Sequence, residues 1–132
     1  MVKVTVLATL FCVGLTSAMA SQPVKLETTM KTMGFAFRQA TEASTTAEAL
    51  PFLEKLHGLT QQAKMAPMPS DKAAVFNEGL DKVLAELVLA KQAVANDDMA
   101  KLQQHLKQVD ALKKQYHKKR RFSFWQLIFG KV

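Results

Sequence analysis

The sequence predicts an all-α protein, an antiparallel up-down-up-down four-helix bundle. Apolar residues recur every three or four positions in four long segments, which places them on one face of a helix that turns about 100° per residue. Three short breaks rich in Thr, Pro, Asn and Asp separate the segments, and no segment shows the apolar alternation that is typical of strands. Short connections favour antiparallel packing of helices that follow one another in the chain.

Residues 1–20 are predicted to be a cleavable signal peptide. A basic residue, Lys3, precedes an apolar run from Val4 to Leu15, and Ala18-Met19-Ala20 supplies the small residues of a cleavage site. An uncleaved membrane anchor is the alternative, but it needs about 20 apolar residues and this run is shorter. Export of this kind predicts a periplasmic protein.

Cleavage would leave residues 21–132, a length that suits one domain with a single core. The only cysteine, Cys12, lies in the removed segment, so the mature chain has no thiol for a disulfide, metal or nucleophile site. Loss of Lys3 lowers the formal charge from +7 to +6. No nucleophile–base pair or constellation of carboxylates is visible, and an enzyme is therefore not predicted.

The first two helices follow from apolar spacing and capping. Helix one is expected from about Val24 to Thr41, and its apolar face consists of Leu26, Met30, Met33, Phe37 and Ala40. Helix two has a possible capping box in Thr45 and Glu48. Because a proline inside a helix removes a hydrogen bond, this helix either begins at Pro51 or is kinked there, and it ends near Met65.

The last two helices follow the clearest break in the chain, Ala66 to Ser70. Ser70 is predicted to cap helix three, which runs to about Ala95. Helix four is expected from about Asp98 to Arg121, and its apolar face consists of Met99, Leu102, Leu106, Val109, Leu112 and Tyr116. His117 falls at the edge of this face, near the C-terminal end of the helix.

Two segments, Leu26-Glu27-Thr28-Thr29-Met30 and Gln115-Tyr116-His117-Lys118-Lys119, resemble the ligand-bearing segments of the cytochrome b562 family. The resemblance covers about Leu26 to Arg121. It implies a periplasmic electron-transfer protein with one haem b (iron protoporphyrin IX) per chain, whose iron is held by Met30 and His117. Without Cys-x-x-Cys-His, the haem would be bound non-covalently. Antiparallel packing of helices one and four would place Met30 and His117 at similar heights.

The resemblance implies further site residues. Four of them would line the haem pocket: Met33, Phe37, Phe76 and Leu80. Lys113 and Arg121, four residues to either side of His117, would lie near the haem propionates. Lys113 stands where the family has arginine, so an ammonium would replace a bidentate contact, and a solvated lysine is the alternative there. His57 and His105 are expected to be structural or exposed.

Residues 122–132 form an apolar aromatic tail, directly after the basic residues Lys118–Arg121 and without a counterpart in the family. Three roles stay open: the tail could fold back over the haem end, dock on a redox partner protein, or contact an anionic membrane surface through residues 118–132. A monomer is expected, and no nucleic-acid partner. The rival functions are a haem-free helical-bundle interaction module and a haem storage or sensing protein.

Overall fold

The computed structural model describes the backbone of residues 25–129 and the side chains of residues 25–119. Within this range the chain forms four helices, α1 (Leu26–Glu42), α2 (Thr46–Lys64), α3 (Ser70–Ala95) and α4 (Met99–Phe129). The predicted all-α four-helix bundle is confirmed. The predicted signal peptide, the Arg121 side chain and residues 130–132 lie outside the described part.

Hydrogen bonds at the start of α2 decide between the two alternatives that Pro51 left open. The Glu48 backbone N–H donates to Thr45 Oγ1 at 3.1 Å, and the Ser44 N–H donates to the Glu48 carboxylate at 2.8 Å. The first bond satisfies a donor that the first turn of a helix leaves without a partner, and the second ties the residue before the N-cap to the same turn. The helix therefore begins at Thr46, and Pro51 lies inside it.

Two helix boundaries differ from the prediction. Ser70 is the first residue of α3, and Pro69 occupies the N-cap position without a side-chain cap. The last helix does not end near Arg121 but continues to Phe129, because neither glycine nor proline interrupts residues 122–129. Folding back of the tail from Arg121 would require a reversal of the chain within residues 122–129. The helical backbone there contains no such reversal.

The helices pack as sequential neighbours, with α2 against α1, α3 against α2 and α4 against α3. Large aliphatic side chains from three helices fill the core and are at most 2% exposed: Leu53, Leu56, Leu87, Leu102 and Leu106. Contacts between α1 and α4 are sparse. None of the four described helices contains an apolar stretch long enough to span a bilayer.

The turn between α3 and α4 is tied to the start of α2. Asp97 adopts a left-handed backbone conformation with φ of 50°, which aspartate tolerates better than most residues. Its carboxylate accepts a hydrogen bond from the Thr46 hydroxyl at 2.6 Å. Asp98 then caps α4 by accepting the Lys101 N–H at 3.0 Å. These bonds fix the end of the bundle where α4 begins.

Candidate functional site

A cavity of about 780 Å³ lies at the end of the bundle opposite the turn between α3 and α4. It is lined mainly by the first half of α1, the first half of α3 and the last part of α4. Its volume is in the range of about 300–1,000 Å³ that small-molecule and cofactor sites occupy. The walls are mostly apolar because the faces of the helices continue past the closed core. The cavity therefore lies where the seam between α1 and α4 is not packed shut.

The cavity brings together most of the site residues that the sequence implied. Seven of them line it: Met30, Met33, Phe37, Phe76, Leu80, Lys113 and His117. The half-buried Met30 comes from α1 and the exposed His117 from α4, so a thioether and an imidazole reach one cavity from two helices. Their role as metal ligands stays a prediction. The Arg121 side chain is not among those that the structure describes.

Other lining residues were not predicted from the sequence. Three of them also line the cavity: Met68, in the connection between α2 and α3, and Lys72 and Val75, in the first turns of α3. Antiparallel packing places the start of α3 beside the end of α4. From this arrangement, Lys72 and Val75 could have been predicted to lie near the cavity. The side chain of Met68 depends on the path of a Pro-flanked connection, which apolar periodicity does not specify.

The residue before His117 packs directly on the backbone of α3. A Cβ atom on Gly79 would lie 2.7 Å from the Cγ and Cδ1 atoms of the Tyr116 ring, so only glycine permits this approach. The Tyr116 hydroxyl donates to Glu78 Oε1 at 2.9 Å, and the Lys119 ammonium lies 4.6 Å from the ring centroid. These contacts hold the turn of α4 that contains Tyr116 and His117 against α3.

We expect Gly79→Ala to lower the free energy of unfolding by about 1–3 kcal/mol, because the added methyl group overpacks against the Tyr116 ring. The control is Gly58→Ala on α2, where a Cβ atom would meet nothing within 4 Å. That variant should be stabilised by up to about 1 kcal/mol through helix propensity. Urea unfolding measures both variants, and a Gly79→Ala protein as stable as Gly58→Ala would contradict the close packing.

Cations dominate the polar part of the lining. Lys72, Lys118 and Lys119 accompany a single acidic residue, Asp71, among the lining residues that are described. We call the part of the lining formed by Lys72, Lys118 and Lys119 the mouth of the cavity. Its excess of positive charge favours an anionic group, such as a carboxylate.

Lys113 also lines the cavity but is already engaged. Its ammonium lies 3.0 Å from Asp110 Oδ1 and 5.3 Å from the centroid of the Phe37 ring on α1. Hydrogen bonds from Lys114 and then from Lys113 hold the pKa of Asp110 below its usual value. Any anion that binds Lys113 must therefore compete with the Asp110 carboxylate.

The remaining two histidines do not line the cavity. His105 is half-buried on α4, and its Nδ1 lies 2.9 Å from Glu86 Oε2 on α3, which confirms the expected structural role. His57 is half-buried on α2, and its Nδ1 has no hydrogen-bond partner among the described residues. Burial, assisted by the charge of Lys91, lowers the pKa of His57.

We expect His57 to make the protein less stable as the solution becomes acidic. The unfolded chain, whose histidines titrate near pH 6.5, binds more protons below that pH than the folded chain does. The stabilisation from neutral His57 is thus present above about pH 6.5 and is lost as the pH falls below it, by up to about 1.4 kcal/mol per pH unit.

Urea unfolding of the unmodified chain and of His57→Gln, at about pH 7.5 and about pH 5.5, tests this expectation. The other two histidines are common to both proteins, so the comparison isolates His57. The unmodified chain should lose more stability than His57→Gln between the two pH values. Equal losses would contradict the prediction.

The family model described as cytochrome b562 matches residues 25–121 of the chain. The matched region begins just before α1, ends in the basic run of α4, and includes all of the described residues that line the cavity. No curated protein matches the chain.

Proposed function

The chain belongs to the cytochrome b562 family, and from this membership we propose that it is a periplasmic electron carrier that binds one haem b between Met30 and His117. The family suggests a b-type haem-binding electron-transfer protein and is not typically enzymatic. The observation that supports the ligand assignment is the cavity itself, which a thioether on α1 and an imidazole on α4 both line. Among the lining residues that the structure describes, no other carries an imidazole.

The residues present fit a haem. The cavity is of cofactor size and mostly apolar, and Gly34 adds open space on the α1 side, because a Cβ atom there would meet nothing within 4 Å. When bound, haem would supply an iron that exchanges single electrons, and imidazole with thioether ligation would raise its potential and leave no position for oxygen. This ligand set favours electron transfer over oxygen chemistry.

Each surrounding group has a defined role in the proposal. Phe37, Phe76, Leu80 and Met33 would exclude water from a bound haem, and the low-dielectric wall that they form would influence its reduction potential. The contact between Tyr116 and Gly79 would fix the distance between α4 and α3 next to His117. Lys72, Lys118 and Lys119 would attract the haem propionates, and we propose that Arg121 would add to this attraction.

The test is a visible absorption spectrum of the purified mature chain during titration with haem, followed by redox titration. We expect a Soret band that saturates at one haem per chain and a reversible one-electron couple. If no Soret band appears, the haem-free interaction module becomes the better assignment. If the chain instead transfers its haem to an apo-acceptor before several redox cycles are complete, the storage or sensing protein becomes the better assignment.

We also propose export by the predicted signal peptide, since an electron carrier of this family works in the periplasm. N-terminal sequencing of the chain recovered from the periplasmic fraction should begin at Ser21. A chain that keeps residues 1–20 and stays with the membrane fraction would support the uncleaved anchor.

A further inference from the structure

The net charge of the chain is concentrated at the end of α4. Residues 111–132 contain seven of the 18 Lys and Arg residues and none of the 11 Asp and Glu residues. The first 110 residues therefore hold 11 cations and 11 anions, so the whole formal excess of +7 lies in the last 22 residues. Asp110 neutralises part of this charge through Lys113 and Lys114, whereas Lys118 and Lys119 are exposed at the mouth of the cavity.

An apolar segment follows this charge on the same helix. We call Lys118–Arg121 the basic cluster. We call Phe122–Phe129 the apolar segment, since six of its eight residues are aromatic or aliphatic. The helical backbone of α4 continues through both without a break. At about 1.5 Å per residue the apolar segment is about 12 Å long, well short of the roughly 30 Å thickness of a bilayer's hydrocarbon core.

We propose that the end of α4 binds the surface of an anionic lipid bilayer, with the basic cluster among the headgroups and the apolar segment in the interfacial region. Lysine and arginine near an anionic membrane contribute attraction, and apolar side chains in a helix at the interface add burial. Tryptophan favours this depth, and Trp125 lies in the middle of the apolar segment.

A bilayer accounts for both features of this helix end. An acidic protein surface would explain the attraction for the basic cluster, but it would leave the apolar segment without a complementary environment. The inference uses only the charge and hydropathy of α4, so it holds whether or not the cavity binds haem. It also places the cavity mouth, which Lys118 and Lys119 line, close to the membrane.

Vesicle flotation of the mature chain tests the proposal. One set of vesicles contains phosphatidylcholine alone, and the other contains phosphatidylcholine mixed with phosphatidylglycerol. Trp125, the only tryptophan of the chain, reports on the apolar segment through its fluorescence emission. We expect binding only to the anionic vesicles, a shift of the emission to shorter wavelength, quenching by brominated lipid, and weaker binding at high salt.

A matched pair of variants locates the binding surface. Lys118→Gln/Lys119→Gln should weaken binding by about 25-fold, since each cation near the surface is worth about a factor of five. Lys101→Gln/Lys107→Gln removes the same charge from exposed positions on the first half of α4 and should change binding less than about twofold. Leu127→Ser/Ile128→Ser should keep the salt-sensitive attraction but lose the shift in Trp125 emission.

Three results would overturn the proposal. Equal affinity for both kinds of vesicle would show that anionic lipid is not required. Equal losses of affinity in Lys118→Gln/Lys119→Gln and Lys101→Gln/Lys107→Gln would indicate a general charge effect. Binding without any change in Trp125 emission, reproduced by polyglutamate in place of vesicles, would instead indicate an acidic macromolecule. None of these readouts depends on a Soret band, so failure here leaves the haem proposal standing and the reverse also holds.

Discussion

Replacement of His117 by alanine is expected to abolish tight haem binding. Within the described part of the chain, His117 is the only histidine that lines the cavity, so no neighbouring imidazole can replace it. Loss of a group that merely orients a metal ligand typically weakens affinity 10–100-fold, so loss of the ligand itself should exceed about 100-fold. Titration with haem, followed by the Soret band, measures the dissociation constant of the variant.

His105→Ala is the matched control for this substitution. It removes a histidine from the same helix, but one that contacts Glu86 and does not line the cavity. That variant should be less stable and still bind haem with an unchanged spectrum. Added imidazole should restore a Soret band to His117→Gly. An unaltered spectrum in His117→Ala would remove this residue from the ligand set.

The second large effect is expected for Met30→Leu, which removes the sulfur and keeps most of the side-chain volume. The chain should still bind haem through His117, but the iron would lack its second protein ligand. We expect a fall in reduction potential of about 0.1 V or more, a modest part of the roughly 0.8 V over which axial ligands set haem potentials. Spectroelectrochemical titration of the purified variant measures the change.

Met33→Leu makes the same exchange of sulfur for carbon one turn further along α1. Met33 lines the cavity but is 8% exposed and packs in the core, so this substitution should cost less than about 1.5 kcal/mol of stability and leave the potential close to its original value. Equal falls in the reduction potential of Met30→Leu and Met33→Leu would show that the polarity of the cavity sets the potential. No fall in Met30→Leu would exclude its sulfur as a ligand.

The fold could be predicted because each helix carries a complete apolar face and each break has turn residues. The exceptions are local. Ser70 has the side chain of an N-cap, but the chain places Pro69 in that position, and the choice depends on the path of the preceding connection. The predicted end of α4 is too early, because a basic run is typical of a last helical turn, whereas no helix-breaking residue follows here before Gly130.

The cavity could be predicted only at the positions that the resemblance implied, which lie on α1, α3 and α4. The resemblance indicated Met30 on α1 and His117 on α4, and both line it. Phe76 and Leu80 on α3 were implied as well and line it, whereas the lining residues in the first turns of α3 depend on the register between helices, which periodicity alone does not fix. Gly79 illustrates this: a glycine inside a helical pattern indicates a close approach, but the sequence does not show that the approaching group is Tyr116.

The sparse contact between α1 and α4 has a thermodynamic consequence. A ligand that fills the open seam supplies packing that the polypeptide alone lacks, so the folded population must respond to ligand concentration by mass action. At 100 times the dissociation constant this linkage amounts to about 2.7 kcal/mol. The empty protein should therefore melt at a lower temperature and be cut faster by proteases, so that chains without cofactor would be selectively cleared.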